Sequence, residues 1–195
     1  MVCGLILVMD SKWLRRLRLA AALLSIISLI YFCSRPFTPP FRSDLLFGRG
    51  FWYMRQQQDE PAIENFSQAI ELHPENAAAY LNRGQIYARH GVYDRALADY
   101  SAVIDLYPDN SDAYFYRGQV YFDMGNYDAA LADYSTAIEI MPYFAELYYR
   151  RGLTYEELGE PAAALADYER FLERYGLDDS LTHDARTRIE QLSAE

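Results

Sequence analysis

Apolar and small side chains in residues 77–108 fall at helical spacing twice in succession. Tyr80, Gly84, Tyr87 and Ala88 line one face of a first helix through steps of three, four and seven residues. Ala96, Leu97, Tyr100, Val103 and Ile104 do the same for a second helix. Gly91 and Tyr93 mark the turn between them, and Pro108 stops the second helix, because proline has no N–H to donate and restricts the residue before it. Adding 34 to Tyr80, Gly84, Tyr87, Gly91, Tyr93, Ala96, Tyr100, Ile104 and Pro108 gives Tyr114, Gly118, Tyr121, Gly125, Tyr127, Ala130, Tyr134, Ile138 and Pro142. A fixed period of this length predicts a solenoid, since one helix pair cannot bury its apolar face alone.

The period extends in both directions. Gly50 and Gly152 keep the step of Gly84 and Gly118, Pro74 keeps that of Pro108 and Pro142, and the rings of Phe66 and Tyr168 keep that of Tyr100 and Tyr134. Four repeats result, 43–76, 77–110, 111–144 and 145–178, each dividing into two antiparallel helices at a turn such as Gly125 with Tyr127 or Gly159 with Pro161. Glycine inside a helix costs about 1 kcal/mol relative to alanine. Its recurrence therefore implies close helix crossings, with the large ring one turn on filling the space beside each glycine. Asn76, Asn110 and Ser111 are placed to cap the helices that follow them. After the last repeat, Leu181, Ala185, Ile189 and Leu192 make a single apolar stripe beside polar Arg188, Glu190 and Gln191, which predicts a capping helix over 179–195.

These landmarks, an aromatic, Gly, Tyr, Ala, an aromatic and Pro at constant offsets over 43–178, resemble the tetratricopeptide repeat family. The resemblance implies an all-α fold, a right-handed superhelical solenoid of four helix-turn-helix repeats, whose concave face binds peptide segments of partner proteins. One departure is systematic: Arg49, Arg83, Arg117 and Arg151 stand where the family usually has Leu before the Gly. Sixteen residues further on stand Asn65, Asp99, Asp133 and Asp167. The three Arg and Asp sets, Arg83 with Asp99, Arg117 with Asp133 and Arg151 with Asp167, are expected to form partly buried ion pairs that join the two helices of a repeat or one repeat to the next.

The family's concave positions, carried over one by one, fall on Phe47, Leu81, Phe115 and Tyr149; on Gly48, Asn82, Tyr116 and Arg150; and on Phe51, Gln85, Gln119 and Leu153. A further set nearer the turn is Arg55, Arg89, Asp123 and Glu157. From these, Phe47, Phe51, Leu81, Asn82, Gln85, Arg89, Phe115, Tyr116, Gln119, Tyr149 and Arg150 make the candidate peptide-binding groove. Asn and Gln bond an extended backbone and aromatic faces supply contact area. Phe115, Tyr116 and Phe122 fit a groove lining and internal packing equally well. The Lys and Asn that the family uses to clamp the carboxylate of a chaperone tail are replaced at the first repeat by Phe47 and Phe51, so the resemblance does not extend to chaperone tails.

The chain before the repeats differs in character. Lys12, Arg15, Arg16 and Arg18 precede an uncharged run at 19–33, or 17–33 if Arg18 snorkels back to the headgroups. That length lies between a signal-peptide core and a minimal spanning helix. Signal peptidases need small residues before the cut, and the pairs Tyr31 with Cys33 and Phe32 with Ser34 both present an aromatic instead. The expectation is an uncleaved N-terminal transmembrane helix, a signal anchor, with 1–18 in the cytoplasm and the repeats on the non-cytoplasmic side. Cleavage and release into a periplasm or the exterior is the alternative. Met9 would also serve as a start. Pro36, Pro39 and Pro40 predict an extended spacer over 34–42.

Charge follows the same division: 1–42 hold six basic residues and one acid, whereas 43–195 hold twelve arginines and 27 acids. An acidic body argues against nucleic acid as a partner. Cys3 and Cys33 lie outside the repeats, and His73, His90 and His183 are scattered, so no disulfide framework, metal site or cofactor is expected. Glu156 with Glu157 and Asp178 with Asp179 read as surface or helix-start charges rather than an acid and base couple. No enzyme is expected. What remains is an interaction protein: an adaptor holding a partner's peptide in its groove or, in the rival reading, a structural subunit using a convex or lateral surface.

Overall fold

The computed structural model describes residues 39–176 and 179–194. The anchor expected at 17–33, the basic segment before it and the first residues of the spacer lie outside the described residues. Among those described, nine helices follow one another: α1 (Pro39–Arg55), α2 (Asp59–Leu72), α3 (Ala77–Arg89), α4 (Tyr93–Leu106), α5 (Ser111–Asp123), α6 (Tyr127–Ile140), α7 (Ala145–Glu157), α8 (Pro161–Arg174) and α9 (Ser180–Leu192). They are joined by short turns, with each helix packed on the next from α2 onward and with α3 touching α5 and α5 touching α7. None is long and apolar enough to cross a membrane.

One boundary differs from the sequence expectation. Pro39 and Pro40 do not continue an extended spacer; they open α1, four residues before the expected start at Ser43. The first turn of a helix has no intrahelical partner for its N–H groups, so proline loses nothing there and its fixed φ already suits the helix.

The turns inside the repeats follow from handedness. Gly91, Gly125 and Gly159 adopt φ of 70°, 75° and 73°. The left-handed residue lets the chain double back: the Val92 N–H reaches the Tyr87 carbonyl at 2.9 Å and the Gly91 N–H reaches that of Ala88 at 2.9 Å. In the first repeat the same position is Gln57, held at φ 58° although it carries a side chain.

Caps divide as their chemistry allows. Asn76 and Asn110 each accept the N–H of the residue three further on, at 3.1 Å. Ser111, also expected to be available as a cap, is instead the buried first residue of α5. Asp179 caps α9 by accepting the Leu181 and Thr182 N–H groups at 3.0 and 3.2 Å.

The core repeats with the sequence. Ala62, Ala96, Ala130 and Ala164 are fully buried where paired helices meet. A Cβ added at Gly84 would lie 2.7 Å from the Tyr100 ring, at Gly118 2.9 Å from Tyr134, and at Gly152 2.7 Å from Tyr168. The ring beside each glycine thus comes from the second helix of the repeat, sixteen residues on, and not from one turn on as the helical spacing had suggested.

Candidate functional site

The departure at the Leu position is built into a three-helix junction. Arg83 on α3 donates through Nε and Nη2 to both carboxylate oxygens of Asp99 on α4, at 2.9 and 2.7 Å, and through Nη1 to Ser67 Oγ on α2 at 2.8 Å. Arg117 does the same with Asp133 at 2.8 and 2.8 Å and with Ser101 at 3.1 Å. Arg151 does so with Asp167 at 2.6 and 2.9 Å and with Ser135 at 3.2 Å. Each arginine therefore ties together the two helices of its own repeat and the second helix of the repeat before. Tyrosines three residues before and four after flank it, as with Tyr114 and Tyr121 at 5.6 and 5.9 Å from the Arg117 guanidinium. In the first repeat, where Asn replaces Asp, Asn65 turns back to the Pro61 carbonyl at 2.7 Å and Arg49 donates to the Tyr53 hydroxyl at 3.4 Å.

The candidate groove residues separate into two groups. Gln85 and Arg89 from α3, Tyr116 and Gln119 from α5 and Arg150 from α7 converge on one cleft of about 310 Å³. Tyr100, Phe122, Asp123, Tyr134 and Leu153 complete its wall with Ala88 and Val120. Tyr116 stacks on Tyr100 at 5.8 Å between ring centroids. Burial pushes the phenols of Tyr100, Tyr134 and Tyr116 up, and Asp112 and Glu146 reinforce the effect at Tyr116.

Others in the candidate set lie elsewhere. Phe115 and Tyr149 are core residues: Phe115 packs edge-on against Phe144 and beside Tyr134, and Tyr149 sits between Tyr168 and Phe171 with its hydroxyl donating to Asp184 of α9. Their position faces the second helix of the same repeat, so a large ring there is enclosed. Leu81 packs against the cluster of Ala96, Tyr100 and Val120, and Phe47 against Phe66 at 5.7 Å. Phe51 is exposed at the first repeat, away from the cleft residues, and the Asn82 amide donates to its own helix at Ala78. Arg89 lines the cleft, and its guanidinium binds Asp59 at the start of α2, whose other oxygen lies 2.6 Å from His90 Nε2.

Several participants escaped the sequence reading. Ser67, Ser101 and Ser135 recur at the same period as the arginines, so the register carried the signal. Asp59 has no periodic counterpart and carried none. Glu156 is not a free surface charge: it accepts from the Tyr168 hydroxyl and from Arg188 Nη1, the latter at 2.8 Å. Among the described residues no group of three or more His, Cys, Asp or Glu side chains is arranged to hold a metal ion.

A TPR repeat family model matches residues 52–91, 90–125 and 118–159, and a tetratricopeptide repeat model matches 145–175. The chain belongs to the tetratricopeptide repeat family. No curated protein matches it by sequence. Among solved structures, MamA is 26% identical with a TM-score of 0.66, over 85% of this chain and 95% of MamA. A tetratricopeptide repeat protein of Parabacteroides merdae superposes with a TM-score of 0.69 at 24% identity, over 78% of this chain and 60% of that one. The first TPR of Spaghetti (RPAP3), bound to the HSP90 peptide SRMEEVD, is 28% identical with a TM-score of 0.57, over 62% of this chain and 95% of its own. Tetratricopeptide repeats mediate protein–protein interactions.

Proposed function

We propose that the chain is a membrane-anchored adaptor whose repeats hold an extended segment of a partner protein in the groove across α3, α5 and α7. The supporting observation is convergence: Gln85, Tyr116, Gln119 and Arg150, from three successive repeats, meet at one open cleft. The amides offer donors and acceptors to a peptide backbone, while Tyr116 and Leu153 offer contact area. The RPAP3 domain, seen with a peptide bound, is a precedent for the mode of binding and not for the ligand.

The test is photo-crosslinking of the full chain in its native membrane, with the crosslinker at Leu153 in the cleft wall. Alanine at Gln85, Gln119 and Arg150 together should remove the specific adduct with helicity unchanged, and an unchanged adduct refutes the groove. The anchor rests on the basic cluster and apolar run at 12–33. Retention in the membrane after alkaline extraction, with the C-terminus open to protease added on the non-cytoplasmic side, is the expected result; a shielded C-terminus reverses the orientation.

A second reading, a structural subunit, is favoured by one feature. Leu45 and Trp52, seven residues apart on α1, are 56% and 55% exposed, whereas the far end of the array is covered by α9. Replacing both by Glu should dissociate an oligomer measured by sedimentation in detergent; a monomer before and after excludes self-assembly through α1.

A further inference from the structure

The charges around the cleft do not balance. Arg89 is neutralised by Asp59, and Arg150 by Glu146, whose Oε1 accepts from Arg150 Nε and Nη2 at 3.3 and 3.1 Å. Asp123 has no cation within salt-bridge distance among the described residues, although it lines the same cleft. It is also the last residue of α5, where the helix dipole disfavours an acid and the first two repeats carry Arg55 and Arg89 instead. The fourth repeat also carries an acid here, Glu157, and at neither position does the helix dipole favour it.

The next register along the array shows what an occupant of such a place looks like. In the last repeat the Tyr168 hydroxyl donates to Glu156, and Arg188 from the capping helix closes over the pair, donating to Glu156 and, at 2.6 Å, to Asp184. One and two repeats earlier, the position of Glu156 is taken by Phe122 and Ala88, and that of Arg188 by Thr154 and Val120. Neither Tyr134 nor Tyr100 then finds a hydrogen-bond partner for its hydroxyl among the described residues, and the cleft opens beside both rings. In the last repeat the chain fills this place with its own arginine; in the two before, it leaves the place open.

We propose that the cleft bounded by Tyr100, Tyr116, Gln119, Asp123 and Tyr134 is a subsite for an arginine side chain of the partner segment. This rests on the groove reading and adds its specificity. A guanidinium is planar and carries five donors, so it can lie against the Tyr116 ring while bonding Asp123, the phenol oxygens and the Gln119 amide together. The excess of acids over arginines in 43–195 draws such a segment in and opposes an acidic one.

The experiment selects random peptides displayed on phage against the purified full chain in detergent, then measures synthetic copies of the enriched peptides by fluorescence anisotropy. The expected result is a shared arginine. Its change to Gln in the peptide, or Asp123→Asn in the protein, weakens binding by about tenfold, and the two changes together weaken it little further. Lysine in its place restores only part of the affinity. Asp123 is exposed and sits against the helix dipole, so Asp123→Asn leaves the fold intact. Enriched peptides that lack a basic residue and ignore Asp123→Asn, yet are lost on Gln85→Ala and Gln119→Ala, overturn the arginine subsite and leave the groove standing. Peptides indifferent to all of these substitutions overturn both.

Discussion

Arg117 shows at the scale of one residue why the repeated charge pair is structural. Its guanidinium is held by Asp133 on α6 and Ser101 on α4, with both side chains largely withdrawn from water. Removing one member of such a pair leaves the other charged and desolvated. Arg117→Ala should therefore cost about 3 kcal/mol in urea unfolding, whereas Arg117→Met with Asp133→Leu should cost clearly less, because no orphan charge remains. Equal losses would mean that the pair contributes through packing alone. Gln57 carries the opposite sign. A side chain in the left-handed region costs about 1–2 kcal/mol, and glycine already occupies the equivalent position in the other three repeats. Gln57→Gly should stabilise the first repeat by about 1 kcal/mol after the added freedom of the unfolded chain is subtracted, seen as slower amide exchange in α1 and α2.

At the scale of an element, α9 is held by carboxylates whose affinity for protons is lowered by the fold. The backbone N–H of Thr182, with Tyr175 and the Leu181 N–H, holds Asp179 below the usual carboxylate range. At Asp184, burial acts in the opposite direction but is outweighed by bonds from Tyr149 and Arg188, so it too is lowered. A carboxyl group more acidic in the folded state stabilises above its unfolded pKa and loses that contribution as pH falls through the folded value. The window is thus below about pH 4. Acidification should release α9 before the repeats, with exchange protection lost in 180–192 while α5 and α6 stay protected. Protection lost everywhere together would show α9 to be no weaker than the repeats. The repeated charge pairs follow a different logic: each binds three helices, so their loss unfolds repeats and does not release a cap.

The repeats form a linear array whose stability sums over neighbours, and their tyrosines report on it collectively. Burial raises the phenols of Tyr100, Tyr134 and Tyr168, and Tyr149 is pushed up to about 12 by burial and its bond to Asp184. A phenol with a raised folded pKa stabilises fully below the unfolded value of about 10 and loses this as pH rises through the folded one. Alkaline titration followed by near-ultraviolet absorbance should therefore give two phases. The second phase, from the buried set, comes only as far-ultraviolet circular dichroism collapses. A single phase with helicity intact would mean that the buried rings are reached by solvent. On this scale the open cleft belongs to the middle of the array, where neighbours on both sides hold α3, α5 and α7 in place.

The sequence by itself determined the period, the helix pairs, the turn glycines, the capping helix and the Arg and Asp partners at sixteen residues. All of these depend on spacing along a helix or on the conformational limits of Gly and Pro, which are local. The tertiary structure alone decided where the aromatic rings face: Phe115 and Tyr149 share the family's concave register with Leu81, yet meet the second helix of their own repeat and become core. It also decided which charges are spent. Arg89 is neutralised by Asp59, thirty residues away and without a periodic counterpart, whereas Asp123 has no cation within salt-bridge distance among the described residues. Pairing through space depends on which side chains the superposed repeats bring within reach, and a period in the sequence specifies that only for residues that repeat with it.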